Sequence, residues 1–318
     1  MKKVVVVGMY RKYDQRFGDS DGGTAYGHLL LYPEIVARRK FEQEDIYFYS
    51  EAELPVEQAD IVLCVDLTEE LYQRIKKLPS RVFKILQSCE SVIYAPLSHS
   101  PEVIMDPVWD VVITWNRGFE AHHVIFYDIP FAGKTASGLP AVPGERQSVF
   151  KEKGVVIASN KGTDHRGYAQ QRNRLYRRLA AEGYIDLYGH GWGEVNKRKN
   201  IMGKANDKIG TLKNYSYALV IENIWTSGYV TEKIADCILS GLPVIYMGDP
   251  YHANRRFPGT FTALDEISID SFVSCRKQLQ QNYHTFQQAL QKAYTASDMW
   301  CDSWLDALTE CFRREKNR

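Results

Sequence analysis

Short apolar runs recur along this chain, separated by stretches of helical periodicity, and this alternation restricts the fold more than any other feature. Strands covered on both faces lose the in-out pattern of a surface strand, and strands joined through helices run parallel. In the first half the strand segments are VVVVGM, ADIVLCVD, RVFKILQS, DVVITW and HVIFYDIPF. A break follows, AGKTASGLPAVPGERQS over 132–148, which has no hydrophobic period and suits an interdomain linker. Its GKT is not a phosphate loop, because Asp128 stands where the first glycine of that motif belongs. The alternation resumes with GVVIASN, the helical AQQRNRLYRRLAAEG, then YIDLYGHGW, YALVIEN and LPVIYMG. The pattern predicts an α/β chain of two Rossmann-like domains, 1–145 and 146–298, closed by a helix over 299–318.

Composition removes several function classes. With 40 Lys and Arg against 39 Asp and Glu, the chain has no general attraction for nucleic acid, so any anion site must be local. Six cysteines are scattered singly, without metal-finger spacing, and read as free thiols. The opening MKKVVVVGMY reads as a first buried strand in place of a signal peptide, and no apolar stretch of about 18 residues occurs. These features predict a cytoplasmic protein. In the last helix, DSWLDALTECFRREKN, Trp304, Leu308, Cys311 and Phe312 share one face, as in a helix docked on its own protein. Its basic tail also admits peripheral contact with the inner face of a membrane, and no obligate protein partner is indicated.

One seam concentrates polar residues between two apolar runs: Glu222, Asn223, Tyr229, Glu232 and Lys233 in YALVIENIWTSGYVTEKIADCILSGLPVIYMGDP. The spacing predicts a strand ending near Glu222, a loop, and a helix beginning near Val230 or Thr231. That helix turns Ile234, Ala235, Ile238 and Leu239 inward and ends at Gly241. A helix start at the carboxyl end of a parallel strand favours a phosphate through its free N–H groups and its dipole. Lys233 adds a positive charge there, and Arg172 lies near the start of the helix after GVVIASN; two cations facing one loop suit a pyrophosphate. Glu232 has two readings: an exposed acid in the first helical turn that only complements the dipole, or, because an acid beside phosphate repels, a group that holds sugar hydroxyls.

These residues carry a resemblance. YALVIEN followed by GYVTEKIADCILSGLPVIYMGDP is similar to the donor-binding motif of the α1,3/4-fucosyltransferase family, bacterial members included. Upstream, VIASN, QRNRLYRRL and IDLYGHGW resemble further segments of that family, with Arg172 on its phosphate-binding arginine. The insert KGTDHRGYAQQ leaves Arg166 as the alternative. FKILQSCESVIY and WDVVITWNRG resemble first-domain segments, which puts Glu90 on the proposed general base. The resemblance implies a GT-B fold, two Rossmann-like domains facing a cleft, with C-terminal helices packing back across the domains. It implies an inverting transfer of L-fucose from GDP-β-L-fucose to a hydroxyl of a carbohydrate acceptor, in surface-glycan or lipopolysaccharide synthesis. On this reading Glu90 and Glu232 are catalytic; Arg172, Asn223, Tyr229, Glu232 and Lys233 bind the donor, and no metal or other cofactor is required.

Rival readings stay open beside it. The motif mainly reads a nucleotide diphosphate, so another GDP-sugar fits, as does a non-catalytic nucleotide-sugar-binding protein. Asp19 and Asp21 in GDSDGG form the D-x-D by which single-domain glycosyltransferases hold a divalent ion, but the pattern comes before any nucleotide-binding half is built. GHGWG mimics part of a dinucleotide fingerprint without a convincing helix after it.

Overall fold

A computed structural model describes residues 1–9, 36–131, 150–160, 166–193 and 199–318. The loop with Asp19 and Asp21, and the predicted linker, lie outside the described residues. The chain divides into two compact units, one formed by Met1–Ala132 with Trp300–Arg318, the other by Gly133–Met299.

The first unit holds a six-stranded parallel sheet: β1 Lys2–Gly8, β2 Ile46–Ser50, β3 Ile61–Val65, β4 Phe83–Ser88, β5 Val111–Thr114 and β6 Val124–Phe126. Their order is β2-β1-β3-β4-β5-β6. Val4 to Val7 and Ile61 to Val65 are all buried, so both sheet faces are covered and the apolar runs are continuous for that reason. Five of these strands were expected; β2, on an edge, was not. The chain's last helix, Asp302–Lys316, belongs to this unit. Trp304, Leu308, Cys311 and Phe312 are buried on it as the spacing predicted, each worth about 1.5–3 kcal/mol for an apolar side chain. Phe312 meets Phe41 edge-on at 4.9 Å, and Trp304 donates to Gln87 Oε1 at 2.9 Å. The basic tail is engaged within the same unit: Lys2 pairs with Glu315, Arg318 with Asp110, and Arg314 donates to the His122 carbonyl.

The second unit has its own six-stranded parallel sheet: β7 Gly154–Ile157, β8 Ile185–Tyr188, β9 Ile201–Gly203, β10 Ala218–Ile221, β11 Val244–Met247 and β12 Phe261–Ala263. The order β12-β11-β10-β7-β8-β9 means that the chain winds outward from β7 to one edge, then returns to β7 and winds to the other. A crevice opens where the winding reverses, between the carboxyl ends of β7 and β10, and ligands of open parallel sheets bind there. Helix α1, Ala169–Glu182, follows β7; α2, Lys208–Leu212, precedes β10; α3, Glu232–Leu239, joins β10 to β11; α4, Pro250–Arg256, follows β11. The expected inner face of α3 is buried at Ile234, Ala235, Ile238 and Leu239, and Gly241 follows its end with φ of 70°. All six cysteines are free thiols. Among the described residues no helix is long and apolar enough to cross a membrane.

Candidate active site

The seam at the end of β10 is organised by Glu222. Its backbone continues the pairing with β11 through a bond to the Met247 carbonyl at 2.8 Å, and its side chain is fully buried. The carboxylate accepts the Thr231 N–H at 3.0 Å, the Thr231 hydroxyl at 2.9 and 2.8 Å, and the Lys233 ammonium at 3.0 Å. Thr231 is the N-cap of α3, but its hydroxyl makes no cap bond to the helix; it donates to Glu222 and accepts from the Lys233 ammonium at 2.9 Å. Glu222 thus fixes where the helix starts. Room for this carboxylate comes from Gly248, where a Cβ would lie 2.8 Å from Glu222 Cγ and 2.3 Å from the Tyr246 hydroxyl.

A second acid holds the loop between β10 and α3. Asp249 is buried and caps α4 by accepting the N–H groups of Tyr251 and His252, with Pro250 at the first helical position. Its other oxygen accepts the Gly228 N–H at 2.7 Å. Gly228 has a φ of 87°, in the left-handed region that glycine enters without steric penalty. The opposite end of the loop is tied to the approach of α1 by Tyr168 N–H on the Asn223 carbonyl at 2.9 Å.

These two anchors bring the expected donor-site residues together. Arg172, on the first turns of α1, is 4% exposed. Its Nη1 donates to Asn223 Oδ1 at 2.9 Å and reaches the Ile221 carbonyl at 3.4 Å. Asn223 in turn donates to the Tyr229 hydroxyl at 3.4 Å, and Tyr229 is buried. Arg166, the alternative to Arg172, is exposed. Arg172 Nε has no hydrogen-bond partner, and no carboxylate lies within ion-pair distance of the guanidinium among the described residues.

The full charge expected of Lys233 is offset. Burial alone would pull Lys233 down, yet Glu222 and Glu232 hold its ammonium well above the ordinary lysine range. Glu232 is about half exposed and lies 3.9 Å from Lys233. Desolvation pushes its carboxyl up, but Lys233 and Lys208 outweigh that and leave it below the usual glutamate range. Lys208 from α2 pairs with the buried Asp236 one helical turn beyond Glu232. Glu232 and Lys233 therefore stay ionised near neutral pH, and Arg172 is the buried cation of this seam that has no matching acid among the described residues.

Glu90 belongs to the first unit, just past the end of β4, and is partly buried. Its N–H donates to Asp66 Oδ2 at 3.0 Å, and its carbonyl faces His99 Nε2 at 2.9 Å. Two glycines of GHGWG, Gly189 and Gly191, serve packing in the second unit. Gly189 has a φ of 129°, and a Cβ there would lie 1.9 Å from the Ala158 carbonyl; one at Gly191 would lie 2.7 Å from that of Asn160. These are close approaches between the loops after β7 and β8. Among the described residues no group of three or more His, Cys, Asp or Glu side chains is placed to hold a metal ion.

Sequence reasoning named Glu222 without giving it a role and passed over Asp249, Lys208, Asp66 and His99. Asp249 had a readable signal, an acid directly before Pro250 at the end of an apolar run.

Residues 150–308, half of the chain, match the family model described as glycosyltransferase family 10 (fucosyltransferase), C-terminal region. Mouse alpha-(1,3)-fucosyltransferase 7 is 30% identical over 102 residues, a stretch covering 31% of this chain and 24% of that protein. A crystal structure of an alpha1,3-fucosyltransferase superposes with a TM-score of 0.57 at 16% identity, covering 91% of this chain and 81% of the other. One of an alpha1,3-fucosyltransferase with GDP-fucose gives 0.53 at 15% identity over the same shares. An alpha-glucosyltransferase in complex with UDP and a 13-mer DNA gives 0.59 at 10% identity, covering 98% of this chain and all of that one. The shared architecture is that of GT-B glycosyltransferases.

Proposed function

The chain belongs to glycosyltransferase family 10, the fucosyltransferases, and on that premise we propose that it transfers L-fucose from GDP-β-L-fucose to an acceptor glycan. The transfer is read as inverting, onto a hydroxyl of a surface-glycan or lipopolysaccharide precursor. The observation that carries the donor reading is Arg172. A guanidinium 4% exposed, held by one side-chain amide and a carbonyl and matched by no acid among the described residues, is costly unless an anion completes it. It stands at the reversal point of the second sheet, bonded to Ile221 and Asn223 at the end of β10. A nucleotide diphosphate supplies the missing charge.

The roles follow from this electrostatics. Displacement of the diphosphate builds negative charge on the leaving oxygens, and Arg172 with the N–H groups at the α3 start stabilises it. Lys233, already shared with Glu222, contributes less net charge than Arg172 but fixes the helix start. Glu232, half exposed and ionised, is suited to holding sugar hydroxyls and to favouring positive charge on the ring in the transition state. Asn223 and Tyr229 order the Arg172 guanidinium. Glu90 is the proposed base that accepts the proton of the attacking hydroxyl.

Calorimetry with GDP, GDP-fucose and GDP-mannose, followed by GDP release in the presence of a glycan panel, tests the proposal. It requires tighter binding of GDP-fucose than of GDP-mannose and GDP release with at least one glycan. Preference for GDP-mannose would reassign the sugar. Tight GDP-fucose binding without release, whatever the glycan, would make the protein a non-catalytic binder.

A further inference from the structure

At the carboxyl edge of the first sheet, the backbone of one residue is gripped from both sides. Asp66 follows β3 with a φ of 56°, in the left-handed region, and is wholly buried. An L-residue held there is strained, and glycine would make the same turn without that penalty. What glycine lacks is the carboxylate. Asp66 Oδ1 accepts the N–H of Cys89 and Oδ2 the N–H of Glu90, each at 3.0 Å, so one side chain from β3 pins two successive peptides beyond the end of β4. Its own N–H bonds the Gln87 carbonyl at 2.9 Å, locking the two strand ends together.

The carbonyl of Glu90 is held as well. His99 is 7% exposed, and its Nε2 lies 2.9 Å from that oxygen. A carbonyl only accepts, so Nε2 carries the proton, and Nδ1 is left to accept from Asn116 Nδ2 at 3.5 Å, just past the end of β5. Strained backbone that the surroundings over-determine concentrates at functional positions. Here the strain, the buried acid and the buried imidazole all act on a single residue, whose carboxyl-bearing side chain is only partly buried.

We propose that Asp66 and His99 are positioning residues that aim Glu90: they fix its N–H and its carbonyl, and with them the direction in which its carboxylate leaves the sheet. The inference rests on the reading of Glu90 as the base. Asp66→Asn keeps the shape of the side chain but turns one acceptor into a donor facing an N–H. His99→Gln keeps a donor for the Glu90 carbonyl, and His99→Leu removes it.

The test measures GDP release from GDP-fucose with the best acceptor of the glycan panel, alongside calorimetry with GDP. A misaimed base costs rate without weakening donor binding, so Asp66→Asn should lower kcat by roughly 30- to 100-fold while the Kd for GDP stays within about twofold. His99→Gln should retain most of the activity that His99→Leu loses, and this pair decides the matter if Asp66→Asn does not fold. The decisive comparison is the double variant Asp66→Asn with Glu90→Gln, which should be no slower than Glu90→Gln alone. Multiplying losses in the double variant, wild-type kcat in Asp66→Asn, or equal losses in the two His99 variants would overturn the proposal. Full activity in Glu90→Gln would overturn it too, and would remove the base assignment, whereas a slow Glu90→Gln beside a normal Asp66→Asn removes only the positioning role.

Discussion

Glu222 accepts both the backbone N–H and the hydroxyl of Thr231, so an acid at the end of one strand sets the first residue of the next crossover helix. The same carboxylate balances Lys233 at 3.0 Å, inside a site where Glu222 itself is fully buried. Removing one member of a buried pair leaves the other uncompensated, at about 3–5 kcal/mol when both are inaccessible. Lys233 is 26% exposed, which places Glu222→Gln somewhat below that range. Urea denaturation should show a loss of about 2–3 kcal/mol, together with weakened GDP binding as the helix start loosens. A change under about 0.5 kcal/mol, the level of an ordinary surface substitution, would mean that Glu222 does not organise this helix.

Lys233→Ala is expected to reduce both stability and GDP affinity, because the ammonium serves Glu222 and the diphosphate at once. A double-mutant cycle separates the two effects. Adding Glu222→Gln to Lys233→Ala removes the orphaned carboxylate and should recover part of the lost stability, leaving GDP binding weak. Recovery of both together would show that Lys233 acts only through the fold.

How far the chain can be read without coordinates depends on which contacts are local. Central strands such as Ile61–Val65 are legible because burial on both faces writes a continuous apolar run. β2, β9 and β12 escape notice because they are short or lie toward sheet edges, where few residues need be apolar. The seam around Asn223 and Lys233 is legible because its residues crowd one strand-to-helix turn. Which of its acids faces inward is not: Glu222 and Glu232 are both glutamates flanking the turn, and the space that Gly248 leaves for the buried Glu222 is a contact made by a separate strand end. Asp66 lies 24 residues from Glu90, too far for any periodicity to report their bond.

Arg172 and Arg166 differ in burial, and that difference predicts their effects. A hydrogen bond to a charged group contributes about 1.5–3 kcal/mol, so Arg172→Gln should weaken GDP binding roughly 10- to 100-fold in calorimetry. Arg172→Lys should recover little, since an ammonium lacks the fork that reaches Asn223 and a phosphate together. Arg166→Ala should change the Kd less than about threefold; a larger effect there than at Arg172 would transfer the phosphate role to the loop.

Glu90→Gln keeps the size of the side chain and removes its basicity. General-base catalysis contributes roughly 100- to 10,000-fold, so single-turnover transfer from GDP-fucose should slow by that range while GDP affinity holds. A parallel loss of affinity would point to a binding role for Glu90.

The neutral imidazole at His99 ties the stability of the first unit to pH in a defined direction. Burial pulls its pKa down to about 4, although the Glu90 carbonyl acts the other way, while in the unfolded chain the ring takes up a proton near its ordinary value of about 6.5. Between those values the unfolded state binds more protons than the native state, so stability falls as pH is lowered through this window and the penalty is absent above it. The slope approaches 1.4 kcal/mol per pH unit, and the whole effect is on the order of 3 kcal/mol. Other groups add slopes of their own, so the informative quantity is the difference between wild type and His99→Gln in urea midpoints from pH 7 to pH 4.5. Wild type should lose more stability on acidification, by close to one proton's worth. Imidazole resonances provide an independent check: His99 should hold its neutral shifts down to about pH 5, and a midpoint near 6.5 would show that the ring is hydrated and free to charge, contrary to its burial beneath Glu90 and against Trp115.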